Sequence, residues 1–322
     1  MPATTLPYRP TPTRRNSGVD KGDQPAPRLD RIEVVANPLS GSVGPDAREK
    51  IEAILAEAGV TARIETPESA QINATIRAAI DRKPDLLVII AGDGTARCAA
   101  EMAGLDGPLV APLPGGTMNM LPRALYGERD WATALKDTLA DGRIRPVSGG
   151  EVGGHRFYVG ALLGSPALWA LAREAVRERR FHLAFRRARR AARKAFSGRL
   201  RFSIEGGPLQ KAEALQIMCP LVSRAMNDDE PLLEAVALDP ASAAEAFRLG
   251  IRTLTGGWRR DPAVEVFRCK RAHAWASGTI AASIDGEPIR LPRHVEIRYH
   301  AEAFRALAPP PPAPDDTPTP MG

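Results

Sequence analysis

The first residues suited to chemistry lie in the segment Gly92-Asp93-Gly94-Thr95, directly after five branched apolar residues at 86–90. Such a run predicts a strand that is buried on both faces of a parallel sheet, and residues 96–102 predict a helix. Unpaired N–H groups converge at a helix N-terminus, and glycines let a phosphate approach the backbone closely. The segment therefore predicts a phosphate site, in which Thr95 caps the helix or contacts an oxygen. An ordinary tight turn is the alternative.

Asp93 restricts what that site can bind. A carboxylate next to phosphates is repelled unless a cation lies between them, or unless it accepts a proton or a sugar hydroxyl. The turn is thus compatible with a nucleotide, and more readily so if a divalent cation accompanies it.

Three further loops with small or polar residues follow predicted strands. The strand 31–36 leads into the loop 37–42, a brief strand ends at Thr66, and the strand 108–112 leads into the loop 113–119. Ligands bind parallel sheets beyond the carboxyl ends of the strands, so we expect these segments and the Asp93 turn to meet at one edge.

Helices between these strands complete the pattern, at 45–58, 68–80 and 130–140. Alternating strands and helices indicate a parallel sheet covered by helices on both faces. From residue 147 the pattern changes to short strands separated by turn residues, which predicts an antiparallel second domain. Its elements are a hairpin at 151–160, strands at 201–204, 214–218, 232–238, 263–268, 279–284 and 295–299, and a helix at 241–253.

Length and composition bound the class of protein. A chain of 322 residues with 43% hydrophobic residues has room for two globular domains. Cys98, Cys219 and Cys269 are far apart and odd in number, which favours reduced thiols in a cytoplasmic protein. No apolar run approaches the roughly 20 residues of a membrane span, and residues 1–27 lack the apolar core of a signal peptide.

Four motifs taken together resemble the diacylglycerol kinase catalytic superfamily, which also includes sphingosine, ceramide and bacterial lipid kinases. The motifs are Asn-Pro-Leu-Ser-Gly at 37–41, Ala-Gly-Asp-Gly-Thr at 91–95, Leu-Pro-Gly-Gly-Thr-Met-Asn at 113–119 and Asp-Gly-Glu at 285–287. They occur in the order found in the family, over about residues 31–307.

The resemblance implies an α/β fold of two domains with the active site between them. The first is a three-layer Rossmann-like domain related to NAD kinase and phosphofructokinase, and the second is an antiparallel β-sandwich. The expected segments are a disordered leader at 1–28, the nucleotide-binding catalytic domain at 29–146, a β-sandwich lipid-substrate domain at 147–300, a C-terminal helix at 301–308 that returns to the first domain, and a disordered proline-rich tail at 309–322.

The resemblance also implies roles for individual residues. Those that would line the ATP site are Asn37, Ser40, Gly41 and Thr66. Those that would hold the phosphates are Gly92, Gly94, Thr95, Gly116 and Thr117, with Asn119 ordering the loop. Asp93 would act through Mg²⁺ or a bound water, and Glu287, assisted by Asp285, would accept the proton of a lipid hydroxyl.

Three departures from the family pattern accompany these motifs. Ala91 replaces the first glycine of its motif, and Met120 stands where the family usually has Asp. The segment 227–233 resembles a structural Mg²⁺ segment of some bacterial members, but Glu-Pro replaces a Gly there and lengthens the turn. A metal at Asp228 or Asp229 is therefore left open.

An arginine-rich segment concentrates the positive charge of the chain. Residues 173–201 contain twelve Arg or Lys against two Glu, while Phe181, Phe185 and Phe196 recur at helical spacing. The segment is interpreted either as a helix that contacts anionic lipid or as one that packs its apolar stripe on the second domain. Nucleic-acid binding is disfavoured, because no recognised binding module accompanies the basic run.

The motifs together predict an ATP- and Mg²⁺-dependent lipid kinase that acts on a diacylglycerol-like or sphingoid alcohol. We expect it to be cytoplasmic and peripheral at the inner membrane surface. The alternatives are an NAD kinase-like or other small-molecule kinase, and a lipid- or nucleotide-binding module without turnover.

Overall fold

A computed structural model describes residues 27–164, 199–223, 226, 230–240, 245 and 258–310. Most of the predicted leader and tail, the arginine-rich segment up to residue 198, nearly all of the predicted helix 241–253, and Asp228 and Asp229 lie outside the described residues.

The described helices and strands follow one another in two regions. The elements of the first are β1 (Ile32–Ala36), α1 (Ala47–Glu57), β2 (Ala62–Glu65), α2 (Ile72–Asp81), β3 (Leu86–Ala91), α3 (Asp93–Ala103), β4 (Leu109–Pro114), α4 (Met120–Tyr126) and α5 (Trp131–Asp141). Those that follow are β5 (Arg143–Val152), β6 (His155–Phe157), β7 (Gly160–Gly164), β8 (Leu200–Ile204), β9 (Gln210–Ala212), β10 (Ala214–Met218), β11 (Leu233–Leu238), β12 (Val264–Cys269), β13 (Arg271–Trp275), β14 (Ile280–Ile284), β15 (Glu287–Leu291) and β16 (His294–Ala308).

The first region is a parallel sheet with strand order β2-β1-β3-β4. Every residue of β1, β3 and β4 is buried, as the apolar runs predict for strands covered on both faces. Among the helices, α1 packs beside α5 and α2 beside α3. The predicted α/β arrangement is confirmed, and α4 is a helix that the sequence analysis did not anticipate.

The same sheet continues past β4 through the last described strand. The end of β16 is parallel to β4, pairing Ala306 with Val110, and its beginning is antiparallel to β13. Along most of its length β16 is also paired with β5. The full order is β2-β1-β3-β4-β16-β13-β8-β9, with β6 attached to β5.

The prediction of a helix at 301–308 is wrong, because these residues are the second half of strand β16. Alanine favours a helix in isolation, but pairing with β5 and β4 supplies hydrogen bonds on both edges. Phe304 and Leu307 are buried in the core of the first region, so tertiary packing overrides local propensity here.

A second, antiparallel sheet has the order β12-β11-β10-β7-β14-β15. It packs on the antiparallel end of the first sheet: Phe202 and Ala274 from one sheet share a core with Leu163 and Leu215 from the other. This arrangement is the expected β-sandwich.

The described residues include no helix with the length and apolar character needed to cross a membrane. Cys98, Cys219 and Cys269 are free thiols.

Candidate active site

Three loops from the ends of β1, β3 and β4 lie against one another. Ser42 donates a hydrogen bond from its backbone N–H to the carbonyl of Gly115, and a second from Oγ to the carbonyl of Pro114. A Cβ placed on Gly41 would lie 3.1 Å from Oγ1 of Thr117. The convergence expected from the parallel sheet is therefore present at its carboxyl edge.

The loop after β4 is held in shape by Asn119. Its Oδ1 accepts a 2.7 Å hydrogen bond from the N–H of Gly116, and its Nδ2 donates to the carbonyl of the same glycine at 2.9 Å. Asn119 has a positive φ of 51°, a conformation that Asn tolerates better than most residues. Asn119 therefore ties the loop to itself through both atoms of its side-chain amide.

Gly116 and Gly92 bring the β4 loop and the β3 loop into direct contact. A Cβ added to Gly116 would lie 2.7 Å from the Cα of Gly92, closer than two carbon atoms can approach. Helix α3 starts immediately afterwards, with Gly92 as its N-cap, so the N–H groups of Asp93 and Gly94 have no backbone acceptor within the helix. This pair of glycine turns leaves backbone donors open to an anion.

Asp93 lies in the first turn of α3 and faces the start of α4. Burial raises the pKa of its carboxyl, while the backbone N–H groups of Asn119, Met120 and Leu121 act in the opposite direction. Its Oδ1 is buried and has no hydrogen-bond partner among the described residues. A buried carboxylate oxygen without a partner is a potential ligand for a cation or a water.

The Asp-Gly-Glu segment forms a tight turn between β14 and β15. Ile284 and Glu287 are paired across the hairpin, and the two residues between them have positive φ angles, 46° at Asp285 and 87° at Gly286. Two positive φ angles define a type I′ turn, for which Asp-Gly is a favoured sequence. The turn fixes where Glu287 leaves the sheet.

Asp285 anchors that turn to the loop between β6 and β7. Its carboxylate accepts hydrogen bonds from the N–H groups of Tyr158, Val159 and Gly160 at 2.8–3.0 Å. Burial raises the pKa of Asp285 to about 6, although those three N–H groups and the charge of Arg97 favour its ionised form. Because the backbone already occupies its oxygens, the geometry gives Asp285 a positioning role.

Glu287 crosses from the second sheet to the glycine turn of the first region. A Cβ on Gly94 would lie 2.3 Å from its Oε1, so only glycine leaves room for this approach. Arg97, one turn further along α3, donates from Nη2 to Oε2 of Glu287 at 2.6 Å and also contacts Glu101 at 3.3 Å. The side chain of Glu287 remains 54% exposed.

The other predicted residues have simpler surroundings. Asn37 accepts a hydrogen bond from the N–H of Leu39, and Ser40 lies in the same turn. Thr66 is half-buried directly after β2, and the N–H of Thr95 bonds the carbonyl of Gly92. The described residues contain no cluster of three or more His, Cys, Asp or Glu side chains placed to hold a metal.

Sequence reasoning did not identify Arg97. It stands two residues after the Gly-Asp-Gly-Thr motif and resembles any helical Arg–Glu pair spaced four apart with Glu101. Its contact with Glu287 spans 190 positions, which the linear sequence does not reveal.

Known proteins resemble this chain both in sequence and in fold. Residues 31–152 match the sequence family of the diacylglycerol kinase catalytic domain. No curated protein matches the chain.

Two solved structures from Bacillus anthracis are similar in fold. One, a diacylglycerol kinase, has a TM-score of 0.63 and 16% identity and covers 88% of this chain and 99% of its own. Another, provisionally named a diacylglycerol kinase, has a TM-score of 0.67 and 17% identity with the same coverage. At these identities the likeness shows that the two-domain fold is shared.

Proposed function

We propose that this chain transfers the γ-phosphoryl group of ATP to the hydroxyl of a lipid alcohol. Its residues 31–152 match the diacylglycerol kinase catalytic domain. The acceptor is a diacylglycerol-like or sphingoid alcohol. The observation that carries the proposal is the approach of Glu287, from the second domain, to Gly94 in the phosphate turn of the first.

The converging glycine turns suit a nucleotide triphosphate. Gly92, Gly94 and Gly116 let its phosphates approach the backbone, and helix α3 begins directly at that turn. Phosphoryl transfer requires mainly alignment of the reactants and neutralisation of charge, and rigid loops packed on one another provide the alignment.

The residues present fit a divalent cation. Asp93 has a buried Oδ1 with no hydrogen-bond partner among the described residues, next to the proposed phosphate loops. Mg²⁺ is commonly held by one or two carboxylates together with phosphate oxygens, so Asp93 is the proposed protein ligand. Mg²⁺ bound there supplies neutralisation of the phosphate charge.

Glu287 is the proposed general base. Its carboxylate is half-exposed and turned toward the phosphate turn, where a hydroxyl could lie between it and a γ-phosphate. Asp285 holds the turn that carries it, through three backbone hydrogen bonds. Arg97 restrains the rotamer of Glu287 and places a positive charge beside the reacting groups.

Apolar side chains at the phosphate loops support a lipid acceptor. Leu39 is 82% exposed, Met118 53% and Met120 42%. Each of the three lies in a loop or at a helix start of this site. Exposed apolar groups beside a polar cleft suit contact with acyl chains or a membrane surface. We extend the proposal to a peripheral membrane location, with anionic-lipid contact through the basic segment 173–201.

Incubation of the full chain with Mg²⁺, labelled ATP and a mixed lipid extract tests the function, with Glu287→Gln as the inactive control. The expected result is a labelled lipid whose formation requires Mg²⁺. Binding of ATP without any lipid product would support the module without turnover. In a parallel incubation with NAD in place of lipid, labelled NADP would support the NAD kinase alternative.

A further inference from the structure

A cavity lies at the opposite end of the sheet from β2, outside the site described above. It has a volume of about 850 Å³, and its lining includes Arg199, Arg201, Trp275, Arg293 and His294. A cavity of this volume lies within the range of small-molecule sites, about 300–1,000 Å³. We call it the arginine pocket.

Strand pairing explains why these residues come together. Arg201 on β8 is paired with Trp275 on β13, and Trp275 is paired with His294 on β16. Cross-strand partners point to the same face of a sheet, so the three side chains form one row. Their neighbours Phe202, Ala274 and Val295 point to the opposite face and are buried in the sandwich core.

The aromatic part of the row is flat and ordered by stacking. The rings of Trp275 and His294 lie 4.9 Å apart at an interplanar angle of 1°. His273 stacks on both at 5.6 Å, and its Nδ1 lies 3.4 Å from Nε2 of His294. A packed aromatic floor loses little conformational entropy when a ligand binds.

The arginines that line the pocket differ in whether they have an acidic partner. Arg199 forms an ion pair with Asp239. Among the described residues, no hydrogen bond or ion pair engages the guanidinium of Arg201 or that of Arg293. Two unengaged guanidinium groups beside one cavity favour an anion, and their planar donor arrangement matches phosphate oxygens.

The arginine pocket is separate from the candidate active site. In the sheet order, β13 and β8 lie two and three strands beyond β4, whose end carries the phosphate loop. Along β16, His294 precedes Ala306, the partner of Val110, by twelve residues. That is a contour length of roughly 40 Å at 3.3 Å per residue.

We propose that the arginine pocket is a second anion site that binds a phosphate group, carried by an acidic phospholipid headgroup or by a soluble phosphate ester. Arg201 and Arg293 bind the phosphate oxygens, and Trp275 with His294 forms the floor beneath the rest of the headgroup or ester. The proposal is independent of the kinase reaction, because no residue of the pocket belongs to the candidate active site.

Binding measurements on the full chain test the proposed phosphate site. Two probes distinguish a soluble phosphate ester from a phospholipid headgroup. One probe is glycerol 3-phosphate, followed by calorimetry and by tryptophan emission. The other is sedimentation with vesicles of phosphatidylcholine, with or without phosphatidic acid. The test variants are Arg201→Gln and Arg293→Gln, and the matched control is Arg143→Gln, an exposed arginine at the start of β5.

We expect each pocket variant to weaken binding of at least one probe by about tenfold or more, as loss of a charge-assisted hydrogen bond does, and the control to bind like the wild type. Binding of glycerol 3-phosphate identifies a soluble ester, and binding only to vesicles with phosphatidic acid identifies a headgroup. Equal binding by wild type and both pocket variants in both assays overturns the proposal, as does an absence of binding by the wild type.

Three further measurements separate loss of the pocket from other effects of the substitutions. Trp275→Phe should retain binding while losing the part of the emission change that arises in the pocket. If the pocket variants unfold at the same thermal midpoint as Arg143→Gln, unfolding is excluded as the cause of their lost binding. Phosphorylation of a dispersed short-chain diacylglycerol reports separately on the proposed kinase function, and the pocket variants should keep that rate unchanged.

Discussion

Arg97 and Glu287 join the two domains through a 2.6 Å ion pair between residues 190 positions apart. The side chain of Arg97 is 19% exposed and that of Glu287 is 54% exposed, so the acidic partner of the pair lies nearer to solvent. A partly exposed pair contributes little to stability. Its value here is positional, because it directs one carboxylate toward the glycine turn at Gly94.

Replacement of Glu287 by Gln should remove the proposed base while keeping a hydrogen bond to Arg97. We expect turnover to fall by about 10²–10⁴-fold with ATP affinity nearly unchanged, since the amide cannot accept the hydroxyl proton. Steady-state kinetics and ATP titration measure the two effects. Glu302→Gln, an exposed carboxylate on β16, is the matched control, and an unchanged rate in Glu287→Gln would mean that another group is the base.

Loss of Arg97 should disorder the base without disturbing the nucleotide loops. We expect Arg97→Ala to lower kcat by about 10- to 100-fold, as misplacement of a catalytic group does, with little change in the KM for ATP. Arg97→Lys should recover part of the rate. Glu101→Gln removes the other partner of Arg97 and should have little effect, because Arg97 keeps its shorter 2.6 Å pair with Glu287.

A double-mutant cycle between Arg97→Ala and Glu287→Gln checks that the two residues act together. Strong non-additivity in kcat is expected for residues in direct contact. Additive losses would show that Arg97 acts elsewhere.

A methyl group at Gly116 should separate the β3 and β4 loops. The added Cβ would lie 2.7 Å from Gly92 and 3.1 Å from Oδ1 of Asn119, so one loop must move. We expect Gly116→Ala to lose about 1–3 kcal/mol of unfolding free energy, a usual cost of overpacking, and to weaken ATP binding. Gly278→Ala, where a Cβ meets nothing within 4 Å, should change neither quantity.

Asp285 should make stability depend on pH. Burial raises its pKa from 3.8 to about 6, so between these values the folded chain keeps a proton that the unfolded chain has released. The stabilisation is therefore complete below about pH 4 and is lost as the pH rises through about 6. Urea unfolding from pH 4 to 7 should show a fall in the wild type that is smaller in Asp285→Asn; parallel curves would refute the assignment.

The sequence revealed most of the first region because its signals are local. Buried runs such as 86–90 and the glycine turns report strand ends directly, and four motifs in order indicate which loops converge. The same logic failed at 301–308, where Ala-rich local propensity favours a helix and the strand partners lie elsewhere in the chain. Helix α4 was missed because it spans only seven residues and begins directly after a loop motif.

The residues of the candidate site also differ in whether a local sequence pattern reveals them. Asn119 follows from motif and turn chemistry, since it bonds Gly116, three residues away. The glycines are recognisable from their place in the motifs, although the residues that they contact lie far away in sequence. Arg97, the backbone anchor of Asp285 and the arginine pocket depend on pairings between distant strands. No local pattern encodes such contacts, because they arise only after the sheets have assembled.

Strand β16 also sets the order in which the protein can be completed during synthesis. The parallel strands of the first region end at β4, whose outer edge is covered by residues near Ala306. While a ribosome is still making the second domain, that edge has no neighbour and is open to pairing with other chains. The open edge of the first region is therefore closed only once residues 294–308 have emerged.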